Sequence, residues 1–237
     1  MGAQFFLIPS HLGEPVNHKL FPAENLEIIR KLKYFIVENG RSARRFIKST
    51  GYPGPIQELT FFEIDKHAPP DHAEGFMKPL LDGHDMGLIS EAGVPGVADP
   101  GAALVLWAHR HQIRVIPLVG PSSILLALMA SGLNGQRFQF HGYLPLQRPL
   151  RIQTIRKMEK NSTQHHETQI FMETPYRNQN LLKDILTTCN PKSLLCIATD
   201  ITCTSESIRT KWIHQWRARP PDLHKRPTIF LLQSGSH

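Results

Sequence analysis

The chain has 237 residues, 41% of them hydrophobic and 20% charged, with a mean hydropathy of -0.25; this excludes a disordered or fibrous chain and leaves room for one large domain or two compact ones. No apolar run approaches the roughly 18 residues of a membrane span, the longest (124–130) being broken by Ser131 and Gly132. A formal charge of +7 favours an anionic partner, a nucleotide or nucleic acid, over a cationic one.

From the N-terminus, residues 4–8 read as a first strand: no Lys or Arg precedes the apolar stretch and Pro9 ends it too early for a secretory signal. Phe6 stands where a myristoylation signal needs Ser or Thr. Helical periodicity at 23–31 leads to a strand at 34–38, then helices at 41–48 and 71–81 and a strand at 86–90. A helix at 100–109 and a strand at 113–118 complete the first half; a helix at 122–131, a strand at 138–142, a helix at 150–160, a strand at 169–172 and a helix at 178–187 follow. Three strands close the chain, at 194–198, 206–209 and 228–232. This alternation predicts an α/β protein. Leu118-Val119-Gly120-Pro121 ends one α/β unit, so two α/β domains, 1–119 and 120–237, are expected with a ligand cleft between them.

Two loops draw attention. Residues 87–101 run from a strand through small residues into a helix, with Asp99 as expected N-cap and Pro100 as first helical residue; Gly93 and Gly96 allow positive φ or close approach of a ligand. The stretch lacks both G-x-G-x-x-G and G-K-[ST]. Val119-Gly120-Pro121-Ser122-Ser123-Ile124 leads from a strand into a helix whose first amides and hydroxyls suit a carboxylate or a ribose. Arg41, Arg44, Arg45 and Lys48, at i, i+3, i+4 and i+7, lie along one helix face, where an anionic partner such as RNA would relieve their repulsion. Arg148, Arg151, Arg156, Lys157 and Lys160 form a second basic region. The odd set Cys189, Cys196 and Cys203 has no C-x-x-C spacing, which argues against disulfides and zinc and for a reducing, cytoplasmic location; the histidines show no metal-ligand pattern, so no metal is expected.

Together the loops resemble the tetrapyrrole methylase superfamily, most closely its ribosomal RNA small subunit methyltransferase I branch. Residues 90–101 resemble S-D-A-G-T-P-G-I-S-D-P-G, residues 114–123 resemble R-V-x-P-L-P-G-P-S-A, and 131–145 resemble S-G-L-P-x-x-x-F-x-F-x-G-F-L-P. More weakly, 171–177 resemble F-Y-E-S-P-H-R, 198–202 resemble A-R-E-L-T, Phe6-Leu7-Ile8-Pro9 with Gly13 resembles Y-I-V-P-T-P-I-G, and Glu38 with Arg41 resembles E-D-T-R. The resemblance implies two α/β domains, a homodimer, and S-adenosylmethionine held in the cleft by Leu12, Gly93, Val94, Pro95, Gly96, Val97, Ser122, Ser123, Ile124, Met172, Ala198, Pro227 and Thr228. It also implies methylation of a cytidine ribose 2′-hydroxyl in ribosomal RNA.

The departures fall on the RNA-facing motifs. Asn39 and Gly40 replace Asp and Thr, Ser10-His11 replaces T-P, and Thr199 and Cys203 replace an Arg and a Lys. They keep open methylation of a tetrapyrrole or other small molecule, and a non-catalytic cofactor- or RNA-binding module. A ribose hydroxyl must lose its proton as it is methylated; Glu173 and Asp200 are the candidate catalytic carboxylates, with Glu38 and His11 behind them.

Overall fold

The computed structural model describes residues 2–14, 20–64 and 73–235. Two compact units follow one another along the chain, Met1–Ser122 and Ser123–His237.

The first unit contains β1 (Gln4–Ile8), α1 (Ala23–Ile29), β2 (Tyr34–Val37), α2 (Gly40–Ser49), a 3-10 turn (Ile56–Glu58), β3 (Thr60–Glu63), α3 (Ala73–Leu81), β4 (Met86–Ile89), α4 (Ala102–Arg110) and β5 (Arg114–Pro117). Its sheet has the order β3-β2-β4-β1-β5, and every neighbouring pair is parallel. A parallel sheet needs helices on both faces, and the central strands are accordingly apolar at nearly every position. Phe6, Ile8, Phe35 and Val37 face Ile29 of α1 and Phe46 and Ile47 of α2. Their sequence neighbours Phe5 and Ile36 face Met77 and Leu80 of α3 and Leu104 and Ala108 of α4. The two-residue period of a strand thus divides one hydrophobic run between two cores.

The second unit contains α5 (Ser123–Ser131), β6 (Phe138–Tyr143), α6 (Arg148–His165), β7 (Thr168–Met172), α7 (Asn178–Thr188), β8 (Leu194–Thr199), β9 (Ser207–Trp212), α8 (Ile213–Ala218) and β10 (Thr228–Gln233). The sheet order is β6-β7-β10-β8-β9; β6–β7 is parallel and the other pairs are antiparallel. Ile155 and Met158 of α6, Leu181 and Ile185 of α7, Phe171 and Phe230 share one core.

The expected α/β class is borne out, and so are most of the elements. One strand and one α-helix were not foreseen, nor was the 3-10 turn at Ile56–Glu58. β3 is a four-residue edge strand, exposed or half-buried throughout, so it lacks the buried alternation that marks a strand in sequence. α8 is six residues long, too short for a helical period to show. The helix expected at 100–109 starts at Ala102, and residues 71–72 of the helix expected at 71–81 lie outside the described residues. The second basic region is partly consumed inside the unit: Arg151 donates from Nε and Nη2 to Asp184 Oδ2 at 2.9 and 2.7 Å, and Arg148 Nε reaches Asp184 Oδ1 at 2.9 Å. Among the described residues no helix is long and apolar enough to cross a membrane, and no group of three His, Cys, Asp or Glu is arranged to hold a metal. Among the described residues Cys189, Cys196 and Cys203 are in no disulfide, and burial pushes the Cys189 and Cys196 thiols up.

Candidate functional site

In the first unit all five strands point the same way, so their carboxyl ends gather the loops that follow β1, β4 and β5. β4 and β1 are neighbours, yet the chain leaves β1 towards β2 and leaves β4 towards β5. Loops that diverge from adjacent parallel strands open a crevice at the carboxyl edge, where α/β sheets bind ligands. Here the two loops are tied by one bridge, the Ser10 amide donating to the Gly93 carbonyl at 2.9 Å. Gly93 has φ +80°, and a Cβ there would lie 3.2 Å from Leu12 Cδ2 and 3.4 Å from the Pro121 carbonyl oxygen. Three loops therefore meet at Gly93, at a backbone angle that glycine adopts without strain. Pro95 and Ser122 are buried, Val94 is half-buried and Val97 is exposed.

Asp99 acts differently from its expected role. It precedes the helix start and folds the loop back instead, Oδ1 accepting from the Gly96 amide at 2.7 Å and the Gly101 amide at 2.8 Å. Burial raises its carboxyl above the ordinary value, with the charge of Glu38 adding to the rise and the two amides opposing it. Ser10, 2% exposed, carries a hydroxyl that finds no hydrogen-bond partner among the described residues. A buried hydroxyl without a partner is costly to keep.

In the second unit Ser123 and Ile124 open α5. Ile229 pairs with Met172 on one side and Ala198 on the other, so the end of β7, the start of β10 and the end of β8 lie side by side. Thr228 is opposite Thr199, and the Pro227 carbonyl accepts from the Asp200 amide at 2.9 Å. Glu173 is buried; its Oε1 accepts from the Thr174 amide at 2.7 Å and Arg177 Nη2 at 2.6 Å. Asp200, at φ 50°, accepts through Oδ2 from Arg226 Nε at 2.8 Å and Ser205 Oγ at 2.9 Å. Thr199, where the resemblance expects Arg, is buried and donates its hydroxyl to the Ser207 carbonyl at 3.1 Å.

The four cations of α2 share one surface. Asn39 caps the helix, Oδ1 accepting from the Arg41 and Ser42 amides at 2.9 and 3.2 Å, and the Gly40 amide donates to Glu63 Oε1 at 3.1 Å. A side chain at Gly40 would collide with that carboxylate. Asn39 thus supplies an acceptor to the first turn of a basic helix, and Gly40 leaves room for Glu63 to supply another. Arg41, Arg44, Arg45 and Lys48 line a concavity of about 570 Å³ together with Tyr52, Gly54, Ile56 and Gln57. Sequence reasoning missed the last four, because nothing in their spacing shows that residues after α2 fold back beside it. It also missed Ser10, although the Ser-His departure after Pro9 marked the place.

No protein-family model matches the chain. A ribosomal RNA small subunit methyltransferase I from Vibrio cholerae is 33% identical over 233 residues, covering 97% of this chain and 76% of that protein. The Pasteurella multocida protein of the same name is 28% identical over 211 residues, covering 88% and 72%. Among solved structures, the methyltransferase CobJ matches with a TM-score of 0.64 at 18% identity, covering 99% of this chain and 95% of that one. Diphthine synthase matches with a TM-score of 0.67 at 12% identity, covering 98% and 90%. These two likenesses are of fold.

Proposed function

The chain belongs to the ribosomal RNA small subunit methyltransferase I family and is a methyltransferase of ribosomal RNA; from that membership we propose that S-adenosylmethionine is its methyl donor and the ribose 2′-hydroxyl of a cytidine its acceptor. The observation that carries the donor assignment is the meeting of the loops after β1, β4 and β5 at Gly93. Gly93 is buried at positive φ, and the close packing of Leu12 and the Pro121 carbonyl against it fixes these loops at the carboxyl edge of the sheet, where α/β folds bind ligands. The Ser10 hydroxyl, without a hydrogen-bond partner among the described residues, suits a ligand with polar groups. Leu12, Gly93, Val94, Pro95, Val97 and Ser122 are the proposed donor contacts of the first unit; Ser123, Ile124, Met172, Ala198, Pro227 and Thr228 are those of the second.

The sulfonium of the donor supplies an electrophilic methyl group, so the protein has to align the acceptor and exclude water. Of the two carboxylates, Asp200 is the proposed proton acceptor. Its side chain is 12% exposed against 1% for Glu173, and proton transfer needs access to the acceptor hydroxyl. Glu173 is the proposed anchor of Arg177. Arg41, Arg44, Arg45 and Lys48 are the proposed RNA contacts, and the family resemblance supports a homodimer working in the cytoplasm.

The test is calorimetry with S-adenosylmethionine on the wild type and on Gly93→Leu. Wild type should bind with micromolar affinity or better, about 8 kcal/mol. The variant should lose binding while keeping its far-ultraviolet dichroism. Equal affinity in the two proteins would reduce the loop to a turn.

A further inference from the structure

The concavity beside α2 is lined by uncharged as well as charged side chains. Tyr52 donates its hydroxyl to the Leu32 carbonyl at 3.1 Å, which pins a half-buried ring at the start of the segment that folds back against the helix. Ile56 packs on the core of the first unit from the same segment, and Gln57 is exposed next to it. The Arg44 guanidinium lies 4.7 Å from the centroid of Phe61, a cation–π contact that restrains it. Arg45 lies 3.6 Å from Glu14. Burial, with the charge of Glu58, raises the Tyr52 phenol above its ordinary value.

A phosphate backbone alone would be met by a flat or ridged row of cations. What this surface offers is a hollow of about 570 Å³, within the roughly 300–1,000 Å³ range of small-ligand sites. Four cations, an aromatic ring, an aliphatic side chain and an amide able to donate and accept line it together. Paired bases in an A-form helix are stacked and cannot enter such a hollow, whereas an unpaired nucleotide can turn its base out and stack it on an aromatic ring. We propose that this concavity holds one unpaired nucleotide of the RNA, its phosphate on Arg41, Arg44, Arg45 and Lys48 and its base against Tyr52 and Ile56, so that the enzyme selects looped over duplex RNA. The proposal rests on the reading of RNA as the substrate.

Gly54 provides the test. A Cβ at Gly54 would meet Tyr52 Cε1 at 3.4 Å, an ordinary contact, and nothing nearer. Gly54→Leu therefore covers the Tyr52 ring and fills the hollow without changing a charge. Fluorescence anisotropy with a hairpin, and with a blunt duplex carrying the same number of phosphates, should show a loss of about tenfold or more for the hairpin, the worth of one stacked base. Duplex affinity and S-adenosylmethionine affinity should stay within about twofold, since neither ligand needs the hollow. Equal losses on hairpin and duplex, or none on either, overturn the proposal. A titration of the wild type followed by nuclear magnetic resonance does not depend on the variant folding: cytidine 5′-monophosphate should shift the Tyr52, Gly54 and Gln57 amides at concentrations where inorganic phosphate does not. Identical shifts with phosphate alone overturn it. Failure of the parent reading looks different, because wild type would then transfer no methyl group to RNA of either form.

Discussion

Replacing Ser10 by Ala separates a ligand-binding group from a structural one by the sign of its effect. The hydroxyl is 2% exposed and has no hydrogen-bond partner among the described residues; such a group costs about 1–3 kcal/mol. The bridge from this position to Gly93 uses the main-chain amide, so alanine preserves it. Ser10→Ala should therefore stabilise the ligand-free protein by about 1 kcal/mol, a rise in Tm of about 2–4 °C for a chain of this size. If the hydroxyl bonds to S-adenosylmethionine, the same change should weaken the ligand by about 0.5–1.5 kcal/mol, up to roughly tenfold in Kd. Differential scanning fluorimetry without ligand reads the first quantity and calorimetry reads the second. A lower Tm with unchanged Kd would refute the reasoning, since it would mean that the hydroxyl is satisfied within the fold.

Reversing Arg44 and Arg45 together to Glu should weaken RNA binding at low salt by about tenfold or more, the loss shrinking as salt rises, with S-adenosylmethionine affinity unchanged; filter binding across a salt series checks it, and equal affinities would return α2 to a solvated surface. Asp200→Asn should lower kcat for methyl transfer by about a hundredfold while leaving donor and RNA affinities in place, measured by single-turnover methylation with labelled donor. For Asp99 the sign follows from burial: its folded-state carboxyl titrates above the ordinary 3.8, so between those two values the folded protein binds more protons than the unfolded chain, and stability from this group falls as pH rises. Asp99→Asn keeps an acceptor for Gly96 and Gly101 but lacks the titration. The Tm of wild type minus that of the variant should therefore decline from about pH 4 upward, and a flat difference would contradict the assignment.

Much of this was legible in the residues because it is local. A strand shows itself through its own apolar run, a helix through its own period, and α2 displayed its four cations at the spacing of one face. The motif around Gly93 was readable for the same reason: small residues, turn chemistry and a helix start lie within a dozen positions. Asp99 was the local misreading. An Asp before Pro and Gly looks like a cap, yet in the folded loop its carboxylate faces back to Gly96 as well as forward to Gly101.

By itself the sequence determined the fold class, most of the elements, the small-residue loop around Gly93 and the basic helix, all features in which the interacting residues are near neighbours. The tertiary structure alone decided that Thr60–Glu63 is a strand, since an edge strand of four residues exists only through its pairing with β2. It also decided that Arg151 serves Asp184 rather than an external anion, that Asp200 is bonded to Arg226, and that Tyr52, Ile56 and Gln57 face the cations of α2. Ser10 meets Gly93 across more than eighty residues of chain. Such partners are chosen by the closure of loops and the order of strands, which depend on the free energy of the whole unit and leave no mark in the spacing of the residues concerned.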